Sequence, residues 1–139
     1  MADSFVIKSV KTDAVLEFSH LRRYYVKVAL LSKNRKAVTD VYLDEGDTLV
    51  LANLFRDMAE QWRGWEGKLS WTPLETEFTL DASSDGLGHV ELEVEFSDYS
   101  GAEPWHFKGS LLTEAGQLDA IAKEAERFFV DNAAQVRKK

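Results

Sequence analysis

Cysteine is absent from this chain of 139 residues. Without a thiol, the protein forms no disulfide, offers no thiolate nucleophile and holds no zinc or iron–sulfur centre through cysteine. Prolines number only two and glycines eight, while 45% of the residues are hydrophobic, a share typical of globular domains. We therefore expect a single domain over residues 1–139 that is long enough to bury a substantial core.

Long apolar runs are also missing. None approaches the ~20 residues that a membrane-spanning helix needs. Near the N-terminus, Asp3 stands where a secretory signal would carry basic residues before its apolar run. We therefore expect a soluble protein with no membrane partner and a cytoplasmic location.

Positive charge is scarce relative to negative charge. The chain has 17 Lys and Arg against 24 Asp and Glu, a formal net charge of −7. Nucleic acids are bound largely through Lys and Arg, so this balance argues against a nucleic-acid partner. It favours a basic partner, although surplus acid also serves solubility alone.

Patterns that mark catalytic or metal sites are missing as well. His20, His89 and His106 lie at no metal-ligand spacing. The loop at residues 81–88 has acids and glycines, but it lacks the closing Glu of a calcium loop and the Gly-Lys-Ser/Thr of a phosphate loop. We predict no catalytic residue, no metal and no cofactor, and we favour a non-enzymatic function while leaving catalysis open.

Two periodicities in the sequence predict an α+β fold. A period of two predicts two antiparallel meanders, and a period of 3.6 predicts two amphipathic helices that pack against them. The strand at residues 24–31 is apolar on both sides, which predicts a central strand covered on both faces. The predicted strands are residues 4–9, 14–19, 24–31 and 37–43 in the first meander, and 74–82, 90–96 and 105–112 in the second.

The two helices have distinct boundary signals. The first is predicted to begin at an N-cap formed by Asp47 or Thr48 and to end near Arg63, with Trp62 completing its apolar stripe. Gly64 is predicted to stop it with a positive φ. The second carries an apolar stripe from residue 118 to residue 129.

The second meander carries acids on its outward positions. A register that aligns its apolar residues sets Asp81 opposite Glu91 and Glu77 opposite Glu95, and like charges opposed across strands are unfavourable. We predict that the surface around Glu77, Asp81 and Glu91 binds a basic partner, with a merely solvated face as the alternative. The same register pairs Glu93 with Lys108 and Glu95 with His106.

Three of the four tryptophans, Trp62, Trp65 and Trp71, lie within ten residues. Large rings of this kind either complete a core or line a recognition pocket. We take Trp65, Glu66 and Trp71 as candidate binding residues. The alternative function is a small-molecule or enzymatic site between sheet and helices, lined by Trp65, Trp71 and Trp105 with Glu66 or His89.

Several short motifs carry a family resemblance. They are Trp-Arg-Gly-Trp-Glu-Gly at residues 62–67, Trp71 with Leu-Glu at 74–75, Asp-Gly-x-Gly-His-Val at 85–90 and Glu-Ala-Gly-Gln-Leu at 114–118. Over about residues 46–130 the chain resembles a bacterial domain-of-unknown-function family numbered six-two-two-eight. This resemblance implies a small bacterial protein and transfers no catalytic residue.

Surplus acid, clustered tryptophans and the missing catalytic patterns together favour a non-enzymatic protein-binding domain. Small acidic α+β proteins are similar in size and charge to immunity proteins that neutralise bacterial toxins, so a basic toxin is one expected partner. This comparison is an analogy between folds, which is weak support for a function. The oligomeric state and the identity of the partner stay open.

Overall fold

The computed structural model describes residues 4–99 and 101–132, and within them it contains eight strands and two α-helices. The first four strands form an antiparallel meander in the order β1-β2-β3-β4, which we call the first sheet. Each strand lies close to its predicted position. The bounds are Ser4–Lys8 for β1, Val15–Ser19 for β2, Tyr25–Ser32 for β3 and Arg35–Tyr42 for β4.

Helix α1, Asp47–Glu60, follows the first sheet. Its N-cap is Gly46, whose φ of 91° is one that glycine adopts without steric cost. Asp47 lies in the first turn, where an acid is favoured, and its Oδ2 accepts a hydrogen bond of 2.8 Å from the N–H of Asp44. The prediction that Asp47 or Thr48 is the N-cap is therefore wrong, since the cap lies one residue earlier.

The end of α1 also comes earlier than predicted. The helix ends at Glu60, and the chain has left the helical conformation at Gln61. Trp62 therefore lies beyond the helix, where its side chain is 54% exposed, and the prediction that it completes the buried stripe is wrong. Gly64 has a φ of 123°, as predicted.

The remaining strands form a second antiparallel meander in the order β5-β6-β7-β8, which we call the second sheet. The two meanders are thus two separate sheets. The predicted strand at residues 74–82 is partly wrong, because Leu74 lies in the β5–β6 loop and is 71% exposed. The bounds are Lys68–Trp71 for β5, Phe78–Ser84 for β6, His89–Asp98 for β7 and Trp105–Glu114 for β8.

Helix α2, Leu118–Glu126, lies between a 3₁₀ turn, Ala115–Gln117, and a π-type turn, Arg127–Asp131. The N–H of Glu114 donates a hydrogen bond of 2.8 Å to Gln117 Oε1 and so caps the first of these turns. The predicted apolar stripe is confirmed. Its buried members are Leu118, Ala122, Ala125, Phe128 and Phe129.

The inner sides of both sheets and both helices share one hydrophobic core. The ring of Phe129 lies 5.8 Å from Phe5 of β1 and 5.4 Å from Phe18 of β2. Phe18 in turn lies 6.2 Å from Phe78 of the second sheet. The predicted α+β class is confirmed, and each half of the chain is a meander followed by a helix.

The two sheets also meet near the start of the chain. The N–H of Val10 donates a hydrogen bond of 2.8 Å to the carbonyl of Leu112 in β8, and the N–H of Leu112 donates one of 3.1 Å to Ser9 Oγ. Nearby, Gly109 lies against Leu30 so closely that a Cβ at this position would overlap the leucine Cδ2 atom. Across the described residues, no helix has the length and apolar character needed to cross a bilayer.

Candidate functional site

The outward side of the neighbouring strands β6 and β7 carries four acids. Along β7 the buried apolar residues alternate with Glu91, Glu93 and Glu95, which point away from the core. Asp81 of β6 lies on the same side, because it pairs directly with Glu93. We call Asp81, Glu91, Glu93 and Glu95 the acidic face.

The register of these strands differs from the predicted one by two residues. Asp81 is opposite Glu93 and not Glu91, and the predicted pairing of Glu77 with Glu95 is also wrong. Hydrophobic alternation determines which side of a sheet a residue faces, and a shift of two residues keeps every side chain on its side. The sequence therefore predicted the face correctly and the directly opposed residues incorrectly.

Two of the acids have basic partners on β8. Lys108 Nζ lies 3.4 Å from Glu93 Oε1, and His106 Nδ1 lies 3.2 Å from Glu95 Oε1. These are the predicted partners, although each is reached diagonally, since Lys108 stands directly opposite Glu95 in the register. Both pairs are partly exposed, so each contributes little to stability.

The three acids predicted to bind a partner do not form one continuous surface. Asp81 accepts a hydrogen bond of 2.5 Å from Ser70 Oγ, and Glu91 is exposed without an ion pair to any described residue. Glu77 precedes β6, and its Oε1 accepts a hydrogen bond of 2.8 Å from the N–H of Tyr42 on the first sheet. Glu77 thus joins the two sheets, whereas Asp81 and Glu91 belong to the acidic face.

The clustered tryptophans range from buried to exposed, with Trp62 on the surface. Trp71 is 4% exposed, with its ring 6.2 Å from Phe78. Trp65 is half-buried against the core, and its Nε1 donates a hydrogen bond of 3.2 Å to the carbonyl of Ala82. Glu66 is exposed in the loop before β5. A binding role for these three residues stays a prediction.

The residues of the alternative small-molecule pocket are spread along the second sheet. Trp65 contacts Ala82, which is opposite Leu92 on β7, whereas Trp105 is opposite Asp98. Leu92 and Asp98 are six residues apart along β7, which corresponds to ~20 Å at ~3.3 Å per residue. The structure therefore does not bring Trp65 and Trp105 together in one pocket.

The β6–β7 hairpin is organised by Asp85. Its Oδ1 accepts hydrogen bonds from the N–H groups of Leu87 and His89 at 2.7 and 3.1 Å, and its Oδ2 lies 2.9 Å from His89 Nδ1. The bond from the Leu87 N–H, with those from His89, lowers the pKa of the Asp85 carboxyl. His89 thus has a structural role in the turn. In the part of the chain that the structure describes, no three His, Asp or Glu residues are grouped to hold a metal ion.

A crevice of about 340 Å³ lies between the edge strand β4 and the adjoining ends of β7 and β8. Its lining includes the carboxylates of Glu75, Glu77 and Asp98 and the aromatic rings of Tyr99 and Trp105, which are 56% and 51% exposed. None of its described lining residues is basic. We call it the β4–β7 crevice, and its remaining lining residues are Val38, Thr39, Phe96 and Ser97.

Acids also lie near the C-terminal end of β4, at Tyr42. The pKa of the Tyr42 hydroxyl is raised, first by the charge of Asp44, then by partial burial, by a hydrogen bond to Asp44 and by the charge of Glu75. Because Glu75 also lines the crevice, the same acid acts on Tyr42 and on any group that enters. The crevice is therefore a region of negative potential with aromatic walls.

No pattern in the sequence predicted this crevice. Trp105 was predicted to line a different pocket, and Glu75, Asp98 and Tyr99 were not among the predicted site residues. The crevice joins two sheets, and alternation within each strand says nothing about which edges of separate sheets meet. The local signal in the sequence was a pair of aromatic residues six positions apart, Tyr99 and Trp105, the first of them next to Asp98.

Residues 10–132 match the sequence profile of a family of unknown function, DUF6228. The chain belongs to this family. The match confirms the resemblance carried by the tryptophan and glycine motifs, and it extends further toward the N-terminus than expected. Neither a curated protein nor a solved structure matches the chain. Membership of DUF6228 brings no assigned activity, so function has to be argued from the surfaces of the chain itself.

Proposed function

We propose that the protein is a non-enzymatic binding domain whose partner is a basic protein. The observation that carries this proposal is the direct opposition of Asp81 and Glu93 on the acidic face. Like charges opposed across strands destabilise a sheet by a few tenths of a kcal/mol. Local features that work against stability are expected mainly where function requires them.

The acidic face is only partly neutralised from within the protein. Lys108 and His106 approach Glu93 and Glu95, while Glu91 has no ion pair with a described residue. A basic partner would supply the missing cations, and its approach would be accelerated by the long-range field of the acids. This supports a partner of opposite charge over a neutral one.

An immunity-type role is the specific form of this proposal. In that role a small acidic protein of the bacterial cytoplasm neutralises a basic toxin. Size and charge support it by analogy alone, and both the bacterial origin and the cytoplasmic location stay predictions. The broader proposal, a basic protein partner, does not depend on them.

The proposal is tested by capture of partners with two matched double variants. Asp81→Lys with Glu91→Lys reverses two charges on the acidic face, and Glu17→Lys with Asp40→Lys makes the same change in charge on the outward side of the first sheet. Circular dichroism first establishes that both variants are folded. The proposal predicts that the wild type and the first-sheet variant retain the same basic protein, whereas the acidic-face variant loses it. A partner that is itself acidic, or equal capture by all three proteins, would contradict the proposal.

A further inference from the structure

The β4–β7 crevice combines the features of a site for an organic cation. Glu75, Glu77 and Asp98 supply negative charge, and Tyr99 and Trp105 supply exposed ring faces on which a cation can stack. Its volume of about 340 Å³ lies at the small end of the range for ligand sites, roughly 300–1,000 Å³. These dimensions suit a single side chain or a molecule of similar size.

The hydrogen bonding of Glu77 supports a ligand in the crevice separately from the negative charge. Its Oε1 accepts the hydrogen bond from Tyr42, while its Oε2 is buried and has no hydrogen-bond partner among the described residues. Buried carboxylate oxygens are normally hydrogen-bonded, because an unmet acceptor costs free energy. Glu77 lines the crevice, so a small rotation of its side chain on binding would bring this acceptor to an N–H donor of a ligand.

We propose that the crevice receives the guanidinium group of an arginine side chain presented by the partner. Guanidinium is planar, carries five N–H donors in a fixed fork and stacks on aromatic faces, so one group can pair with a carboxylate while lying against Trp105. An ammonium group has no planar face to stack. This inference deepens the proposed function, and it rests on that function for the source of the arginine.

The crevice lies next to the acidic face. Ser97, which lines the crevice, follows Glu93 and Glu95 on the same side of β7. A partner steered to the acidic face would thus already be close to the crevice. The acids of the face would act on the rate of encounter, and the crevice would fix the position of one side chain.

A second groove in the protein provides an internal comparison. It has a similar volume, about 400 Å³, and lies between β8 and the turns of the first sheet. Its charged lining residues are Lys33, Arg35 and Lys108 with the single acid Asp13, whose Oδ2 already accepts a hydrogen bond of 2.7 Å from the N–H of Lys33. This groove would repel a guanidinium group, so binding at the crevice is not a general property of concave surfaces here.

The first arm of the test uses a small probe and does not need the partner. N-acetyl-arginine methylamide is titrated into the ¹⁵N-labelled protein, with the lysine and citrulline analogues as controls. A ligand of this size is expected to bind with a dissociation constant of about 1–10 mM. The shifts should cluster at Tyr99, Trp105 and the strand ends around them. Equal binding of the uncharged citrulline analogue, or of the lysine analogue, would overturn the assignment to guanidinium.

Matched variants define the site. Glu77→Gln removes the charge and keeps an oxygen that can accept the Tyr42 hydrogen bond, and Trp105→Ala removes the ring. Each should weaken probe binding at least about fivefold, as expected for a charge-assisted hydrogen bond or a cation–π contact. The controls are Glu91→Gln, on the acidic face, and Trp62→Ala, whose ring is also half-exposed but outside the crevice. Glu75→Gln, at an exposed position, replaces Glu77→Gln if the latter fails to fold. Loss of binding in the controls, or none in the crevice variants, would overturn the inference.

The second arm uses the captured partner and separates the two proposals. A partner whose affinity falls with Asp81→Lys and Glu91→Lys but not with Glu77→Gln or Trp105→Ala would leave the proposed function standing and refute the crevice as its arginine site. Probe binding at the crevice without any basic partner would refute the proposed function and assign the crevice to a free guanidinium compound. Loss of partner affinity in both sets of variants would support both the proposed function and the crevice as its arginine site.

Discussion

The two sheets share a topology and differ in the surface that they turn to solvent. Outward positions of the first sheet carry three lysines and two acids, whereas those of the second sheet carry the acidic face and Glu114 against two lysines, Lys68 and Lys108. If the net charge of −7 served solubility alone, acid would be expected on both surfaces. The uneven distribution of acid between the two sheets therefore favours a directed role for the acidic face. The outward charged residues of the first sheet are Lys8, Glu17, Lys27, Lys36 and Asp40.

The outward side of the first sheet also corrects one prediction. β3 is central, as expected, and Ala29 on its outward side is 6% exposed. Val6 and Val38, in the same cross-strand row, are 39% and 40% exposed. Ala29 is thus shielded by its neighbours within the sheet, and the prediction that both faces of β3 are covered is wrong for this face.

The largest expected effect is on the hydrophobic core that the two sheets share. Phe129→Ala should lower the free energy of unfolding by about 3–5 kcal/mol, because the ring is fully buried. Since Phe129 touches Phe5 and Phe18, and Phe18 touches the second sheet, both halves should unfold in one transition. Urea denaturation followed by circular dichroism and by tryptophan fluorescence checks this.

The control for that experiment is Leu87→Ala in the β6–β7 turn, where the side chain is 82% exposed and little change is expected. Two separate transitions for the two probes would show that the sheets do not depend on one core. An unchanged midpoint for Phe129→Ala would show that the π-type turn is not part of it.

A smaller effect is expected at Gly64, which joins the end of α1 to the second sheet. Its φ of 123° is unfavourable for a residue with a Cβ, and that atom would lie 3.0 Å from Ser84 Oγ and 3.2 Å from Gly86 Cα. Gly64→Ala should therefore destabilise the protein by about 1–3 kcal/mol. Gly116→Ala is the matched control, because nothing lies within 4 Å and its φ is not positive. Equal thermal midpoints for the two variants would refute this account of Gly64.

The smallest expected effect is on stability, and it is measured with one substitution on the outward side of each sheet. Asp81→Asn removes one of two opposed acids and keeps an oxygen for the Ser70 hydrogen bond, so it should stabilise the second sheet by about 0.2–0.5 kcal/mol. Asp40→Asn removes the partner of Arg22, at 3.2 Å, and should destabilise the first sheet by a similar amount.

The changes in stability caused by Asp81→Asn and Asp40→Asn should both shrink as salt rises from ~10 to ~150 mM, because the Debye length falls from about 30 to about 8 Å. Thermal denaturation at the two salt concentrations is the measurement. The same sign of change for both substitutions would remove the distinction between the surfaces.

The sequence predicted strands and helices most reliably where one periodicity ran without interruption. The alternation at residues 90–96 placed β7 and its outward glutamates correctly, and the stripe of α2 was confirmed. Prediction failed where a segment was short. β5, Lys68–Trp71, has four residues, too few to establish a period, and it was not predicted; the strand predicted at residues 74–82 began in the loop that follows β5.

The candidate site was predicted only in part, for a related reason. Asp81 and Glu91 were found because a single strand pair carries them, whereas Glu77 was assigned to the same surface although its carboxylate reaches Tyr42 on the other sheet. The β4–β7 crevice depends on how two sheet edges meet, and that depends on packing across the core. No pattern within a single strand contains this information.

The most direct test of the account is the association rate of the captured partner measured by stopped flow. For the wild type, the rate constant should fall about tenfold or more between ~10 and ~150 mM salt, because steering by exposed charges is screened. Asp81→Lys with Glu91→Lys should slow association at low salt and flatten its dependence on salt, while Glu17→Lys with Asp40→Lys should leave both nearly unchanged. A rate indifferent to salt, or slowed equally by both double variants, would contradict a directed role for the acidic face.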